Sequence, residues 1–386
     1  MTQTLGAREL LDRLVAFPTV SRDTNLPLVD WVEAYLASHG ITAHRYWHPD
    51  RTKAALFAHV GPWEAGGVVL SGHTDVVPVD GQDWTSDPWV VTERDGRLYG
   101  RGTCDMKGYD ALAIWALVAA HQRGIRRPLQ LALSFDEEIG CTGAPPMIEA
   151  MRQVLPQASA AIIGEPSRMK AVNGHKGGAG YRVTVKGYEV HSSLLPYGVS
   201  AIMEAARLIM WANDSNAANR AKPVTPMAGL FDPPFTTVHT GMINGGTAHN
   251  ITAGNCSYVM EFRVVPGESP QDWCMAFEAE VARLRSALQA VRPEADIVLE
   301  RFFDVPPLTP EHDGSAEALV RRLTGDNSTN VVSYGTEAGQ FQAAGYSAVV
   351  CGPGDIAQAH QVDEYLEVSE FSAGLAFMER LLADLA

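Results

Sequence analysis

The stretch LQLALSFDEE, residues 129–138, decides the fold. Its first seven residues are apolar at almost every position, and an acidic triplet, Asp136, Glu137 and Glu138, follows at once. A strand with no polar-apolar alternation has both faces covered, which is the mark of a central strand in a layered α/β sheet. SAAIIG (159–164) is a second run of this kind, and AALFAHV (54–60) and GVVLSGH (67–73) are further β-rich runs. Between them lies a helical pattern at about 107–123. Ala111, Ile114, Trp115 and Val118 give it an apolar face, and Gly124 and Pro128 end it. Upstream, ARELLDRLVAF and PLVDWVEAYLASHG have helical spacing, and Gly40 stops the second. Strands alternating with helices predict an α/β fold with a mixed, largely parallel sheet flanked by helices.

The pattern changes after His175. AGYRVTVKGYEV alternates like a half-exposed strand, and SAIMEAARLIMWAND is helical. Two strands follow, FTTVHTGMI and NCSYVMEFRVV, then the long helix SPQDWCMAFEAEVARLRSALQAV and the strand DIVLERFFD. The order β-α-β-β-α-β predicts an inserted α+β module of ferredoxin-like type. VPPLTPEHDG reads as the crossing back, after which strands near Val331 and at 347–350 and a helix near 367–385 resume the α/β layer. The expected division is residues 1–175 and 305–386 for the first domain and 176–304 for the insertion.

Composition narrows the function. The 386 residues carry 30 Lys plus Arg against 45 Asp plus Glu, a formal charge of −15, with 46% hydrophobic residues. That is too apolar for disorder, and without a basic excess the chain is not expected to bind nucleic acid. No apolar run approaches the roughly 20 residues needed to span a bilayer. The opening MTQTLGAREL shows no signal-peptide pattern, and five scattered cysteines without a CxxC pair suit free thiols, so a cytoplasmic location is expected.

Strand ends are where open α/β sheets gather their chemistry. VVLSGHTD ends in His73 and Asp75. LYGRGTCD ends in Asp105, LALSFDEE in Glu137 and Glu138, AAIIGEP brings Glu165, and GPGDIAQAH delivers His360. A single His or Glu in a loop is more often solvated, and Asp105 alone could serve as a helix N-cap. Their recurrence at strand ends points to metal. Two divalent cations need mixed nitrogen and oxygen ligands and a carboxylate able to bridge them. Two His, one bridging Asp and two Glu leave about one net positive charge, which suits a bound hydroxide. Asp75, two residues past His73, could accept the second ring N–H. Of Glu137 and Glu138, one could ligate while the other takes a proton from water.

These segments, together with DMKG, EEIGCTGA, GHKGG, VKGYEVHSS and QAHQVDEYL, resemble the zinc-dependent aminoacylase and carboxypeptidase family over almost the whole chain. The resemblance implies a di-zinc exopeptidase-like catalytic domain with a lid and dimerisation module, hence a homodimer. It implies His73, Asp105, Glu138, Glu165 and His360 as ligands of two metals with Asp105 bridging, Glu137 as general base, Asp75 as orienter of His73, and a cis peptide after Asp105. His191 matches a histidine that a partner subunit presents to the substrate carbonyl, and Asn250 and Arg263 match positions that hold a substrate carboxylate. Cys104 stands where a small apolar residue is common and reads as buried packing. Zinc is the expected metal, with cobalt or manganese compatible.

The implied reaction is hydrolysis of a small N-acyl amino acid. Removal of acetate from N2-acetyl-L-ornithine is favoured, because Glu337 in YGTEAGQF could attract a side-chain ammonium, although the same residue could be only a helix first-turn acid. Succinyl-diaminopimelate, acetylcitrulline or another N-acyl amino acid is the alternative substrate. A non-catalytic metal-dependent binding protein is the remote one, disfavoured because both Glu137 and Glu138 are present.

Overall fold

In the computed structural model, which describes residues 4–386, the strand Leu129–Ser134 is buried at all six positions. It lies inside an eight-stranded sheet. The order is Ala43–Trp47, Ala54–Val60, Leu129–Ser134, Val68–His73, Ala160–Pro166, Ser347–Gly352, Val172–His175 and Asn330–Val332. The central neighbours run parallel, while Ala54–Val60 is antiparallel to both of its neighbours. The mixed, largely parallel sheet is therefore present.

The helix Lys107–Arg123 is buried almost all round, rather than along one stripe. It packs on helices Ala7–Val15 and Val368–Leu385 as well as on the sheet. A helix enclosed on every side has no polar face to show, so Ala113, Ala116 and Ala120 are as buried as Ile114. Gly124, at φ +73°, ends it. A three-stranded sheet, Tyr365–Glu367, Arg97–Tyr99 and Thr92–Arg94, joins the segment after residue 360 to the one before residue 105.

The chain divides into two compact units. One holds the described chain up to Gly174 with Leu308–Val331 and Thr336–Ala386, and the other holds His175–Pro307 with Val332–Gly335. In the second unit the sheet order is Thr237–His239, Asn255–Val264, Gly177–Lys186, Asp296–Val305, all antiparallel. Numbered along the chain, that order is second, third, first, fourth, as the β-α-β-β-α-β reading requires. Asn255–Val264 alternates strictly, burying Cys256, Tyr258, Met260, Phe262 and Val264. These side chains meet Leu208, Phe277 and Leu284 in a separate core, the last two from the helix Pro270–Val291. The Ser269 hydroxyl caps that helix by accepting from the Asp272 N–H. FTTVHTGMI, expected as one strand, forms two pieces. Thr237 pairs with Arg263 while Ile243 pairs with Tyr258, so one extra residue is accommodated around Gly241, as in a bulge.

Candidate metal centre

Strands Leu129–Ser134, Val68–His73 and Ala160–Pro166 are parallel neighbours, so their carboxyl ends open on one edge of the sheet. That edge collects His73, Glu137, Glu138 and Glu165. Asp105 reaches it from the turn before the helix Lys107–Arg123, and His360 from the turn after the short helix Ile356–Gln358. The peptide Asp105–Met106 is cis.

The geometry centres on Asp105. Its Oδ1 lies 3.1 Å from His73 Nε2, and its Oδ2 lies 3.2 Å from His360 Nε2. One carboxylate thus faces two imidazoles, one through each oxygen. On the His360 side, Glu138 Oε2 is 3.0 Å from Nε2. On the His73 side, Glu165 Oε1 is 3.8 Å away. Donor atoms of His73, Asp105 and Glu138 lie within 4.8 Å of one another, and so do those of His73, Glu137 and Glu165.

The electrostatics favour cations. Four buried or nearly buried carboxylates share this space, and their pKa values are displaced accordingly. Burial pushes Glu165 well up, with Asp105 and Glu137 adding to it. Burial and Asp105 push Glu138 up to about 8. Burial also raises Glu137 against the lowering by His73, and the charges of Asp105 and Asp75 add to the rise. His73 is buried, which disfavours its charge, yet Asp105, Glu137 and Asp75 lift it well above the usual range. Glu165 Oε1 is buried and has no hydrogen-bond partner. Clustered acids and an orphaned oxygen 3.8 Å from the His73 ring nitrogen fit a pair of divalent cations with mixed nitrogen and oxygen ligands.

The support around the cluster differs from expectation at two places. The Asp75 carboxylate lies 3.6 Å from His73 Nδ1, whereas the Asp75 main-chain carbonyl lies 2.9 Å from it. The ring is therefore held by the carbonyl. The carboxylate instead accepts the Ser21 hydroxyl at 2.6 Å and the N–H groups of Glu137 and Glu138 at 3.2 and 3.4 Å. Asp75 organises the turn that carries both glutamates.

Glu337 is the second difference. It is 1% exposed, accepts the Ser134 hydroxyl at 2.5 Å, and burial with the charge of Glu137 pushes it up to about 8. A carboxyl enclosed in this way is not a surface for a substrate ammonium, because the helix Ala338–Ala343 is itself largely buried and carries it inward.

In the second unit, His191 is exposed, and its Nδ1 lies 2.8 Å from the Ser193 hydroxyl. The Ser192 N–H donates to the Asn250 carbonyl at 2.9 Å, and His191 pairs with Ile251, so His191 and Asn250 occupy neighbouring segments. Arg263 lies on Asn255–Val264 with its guanidinium against Glu261.

Two contributors were not foreseen. Cys141 donates its S–H to Glu137 Oε1 at 3.2 Å, and nothing in its spacing marks it beyond its closeness to the glutamates. Ser21, which holds Asp75, lies 54 residues away from it and carries no local signal. Cys104 is buried, as expected, and all five cysteines are unpaired.

A model of the peptidase family M20/M25/M40 matches residues 69–384. The acetylornithine deacetylase of Myxococcus xanthus is 37% identical, over 99% of this chain and 98% of that protein. The acetylornithine deacetylase of Salmonella arizonae is 34% identical, over 93% and 92%. Among solved structures, the M20 family metallo-carboxypeptidase Sso-CP2 of Sulfolobus solfataricus superposes with a TM-score of 0.79 at 16% identity, covering 98% of both chains. Human carnosine dipeptidase 1 does so with a TM-score of 0.70 at 17% identity, over 98% of this chain and 96% of that one. The YXEP protein of Bacillus subtilis, described as a dinuclear metal-binding peptidase of the M20 family, gives 0.62 at 16% identity, over 98% and 97%.

Proposed function

The chain belongs to the peptidase family M20/M25/M40, and we propose that it is a two-metal amidohydrolase that removes acetate from N2-acetyl-L-ornithine. The observation that carries the metal chemistry is Asp105, whose two oxygens each face one imidazole. The substrate rests on the two deacetylases that match over nearly their full length.

His73, Asp105 and Glu165 would hold one cation, and His360, Glu138 and Asp105 the other. The mixed ligand set suits zinc, with cobalt or manganese also compatible. The bound cations would supply Lewis acidity to the acyl carbonyl and lower the pKa of water. Glu137 takes the proton from the attacking water and passes it to the departing α-amine, so that amide and water become amine and acetate. Its carboxylate is aimed by the Cys141 S–H and by the Asp75 carboxylate, which holds the Glu137 N–H. His191 from a second copy of the chain donates Nε2–H to the developing oxyanion, since its Nδ1 is engaged with Ser193. Asn250 and Arg263 hold the substrate carboxylate, Arg263 after leaving Glu261. The unpaired, buried cysteines are in keeping with a reducing compartment, the cytoplasm.

The test is a substrate panel on zinc-loaded protein with a chelator control. Hydrolysis of N2-acetyl-L-ornithine that the chelator abolishes is the expected result. A higher kcat/KM for succinyl-diaminopimelate overturns the substrate assignment, and amide hydrolysis untouched by metal removal overturns the mechanism. Sedimentation showing only monomer removes His191 from its role.

A further inference from the structure

Beneath the metal cluster lies an ion pair that the proposed chemistry does not use. Arg101 and Glu364 are fully enclosed, with 0% side-chain exposure each, and Arg101 Nη1 lies 2.6 Å from Glu364 Oε2. The other oxygen of Glu364 accepts the main-chain N–H groups of Cys104 and Asp105 at 3.0 and 3.1 Å. Arg101 also donates to the Gln361 carbonyl at 3.3 Å and to Gln82 Oε1 at 2.7 Å, and Gln82 in turn donates to the His360 carbonyl at 3.3 Å.

These bonds connect two segments that are 259 residues apart in sequence at the Asp105–Glu364 contact. One carries Asp105 and the other carries His360. Glu364 grips the backbone of the first from the second, while Arg101 grips the backbone of the second from the first. A buried pair of this kind adds little to stability compared with apolar packing. Removing one partner, by contrast, leaves a charge enclosed without compensation.

We propose that Glu364 and Arg101, with Gln82, form a positioning clamp that sets the separation of Asp105 and His360 and thereby the affinity of the two-cation site. Glu364 and Arg101 touch neither metal nor substrate. They act through the backbones of Cys104, Asp105 and residues 360–361. The inference rests on the reading of Asp105 and His360 as ligands.

The experiment measures zinc affinity by chelator competition in the full chain for the parent, E364Q, R101K and Q82A, with H360A as control and circular dichroism to establish folding. Outer partners of metal ligands are worth about 10- to 100-fold in affinity. E364Q is expected to bind zinc at least about tenfold more weakly, and R101K and Q82A more than about twofold. At saturating zinc, kcat should fall while KM stays near the parent value, because the substrate contacts are not touched. Gln82 is only half-buried, so Q82A provides a folded variant even if E364Q or R101K fails to fold. Zinc affinity within twofold of the parent in every folded clamp variant, with H360A losing zinc, overturns the clamp. Unchanged affinity in H360A overturns the ligand reading instead.

Discussion

Glu137→Gln separates a proton acceptor from a ligand at a position where the structure leaves both roles geometrically open. Glu137 lies in one three-residue group with His73 and Glu165, yet it is proposed as the base. The substitution keeps the shape of the side chain. The Asp75 carboxylate still holds the main-chain N–H of residue 137, and the Cys141 S–H still has an oxygen to donate to. What is lost is the ability to accept a proton, together with one negative charge from a cluster where burial, Asp105 and Asp75 already hold that carboxyl above its ordinary range. General-base catalysis contributes about 10²- to 10⁴-fold, so kcat should fall by that factor, which corresponds to about 3–5 kcal/mol of barrier. Relief of like-charge repulsion should make the metal-free protein melt at a higher temperature than the parent. The assay combines initial rates at saturating zinc, bound metal per chain after dialysis, and melting of the chelated protein. Two zinc per chain with the loss of kcat is the expected pair of results. Retained kcat, or loss of one zinc, would refute the assignment of Glu137 as base.

Three further outcomes follow from the same geometry. Metal-free protein holds protons in the cluster, because Asp105 and Glu138 lift His360 to about 10 and burial with Asp105 lifts Glu138 to about 8. Zinc must displace them, so loading should release protons and apparent affinity should fall with pH below about 10 and more steeply below about 8, seen as buffer-dependent heats in titration calorimetry; equal heats in buffers of different ionisation enthalpy would sink this. Both groups bind protons more tightly folded than unfolded, so their contribution to metal-free stability is lost as pH rises, through about 8 for Glu138 and about 10 for His360. Glu138→Gln should therefore flatten the fall in chelated melting temperature between pH 5 and 8, and an unchanged slope would count against it. Gly164→Ala should destabilise the first unit by about 1–3 kcal/mol in urea unfolding, since an added Cβ would come within 2.0 Å of the Tyr109 ring; parental stability would show that the ring can move away.

Much of the candidate site was legible because strands impose it. Apolar runs that end in His or acid place those residues at a sheet edge whatever the details of packing, which is why His73, Glu138 and Glu165 could be read together with Asp105 and His360. Glu337 was not legible. Whether a first-turn acid faces solvent or the interior depends on which side of the helix Ala338–Ala343 meets the sheet, and that is decided by packing. Asp75 was half legible. Its spacing from His73 placed it correctly, but a shift between carboxylate and carbonyl is set by the backbone turn and by Ser21, 54 residues away.

Local pattern alone, therefore, determined the layer order, the inserted antiparallel module and the residue types at the strand ends, because periodicity and burial act over a few residues at a time. Only the tertiary structure decided that Asp105 lies between two imidazoles, that Asp75 holds the glutamate turn, and that Glu364 reaches back to the Asp105 backbone. Those contacts join segments up to 259 residues apart, and distances of a few ångströms between such segments exist only once the chain is packed.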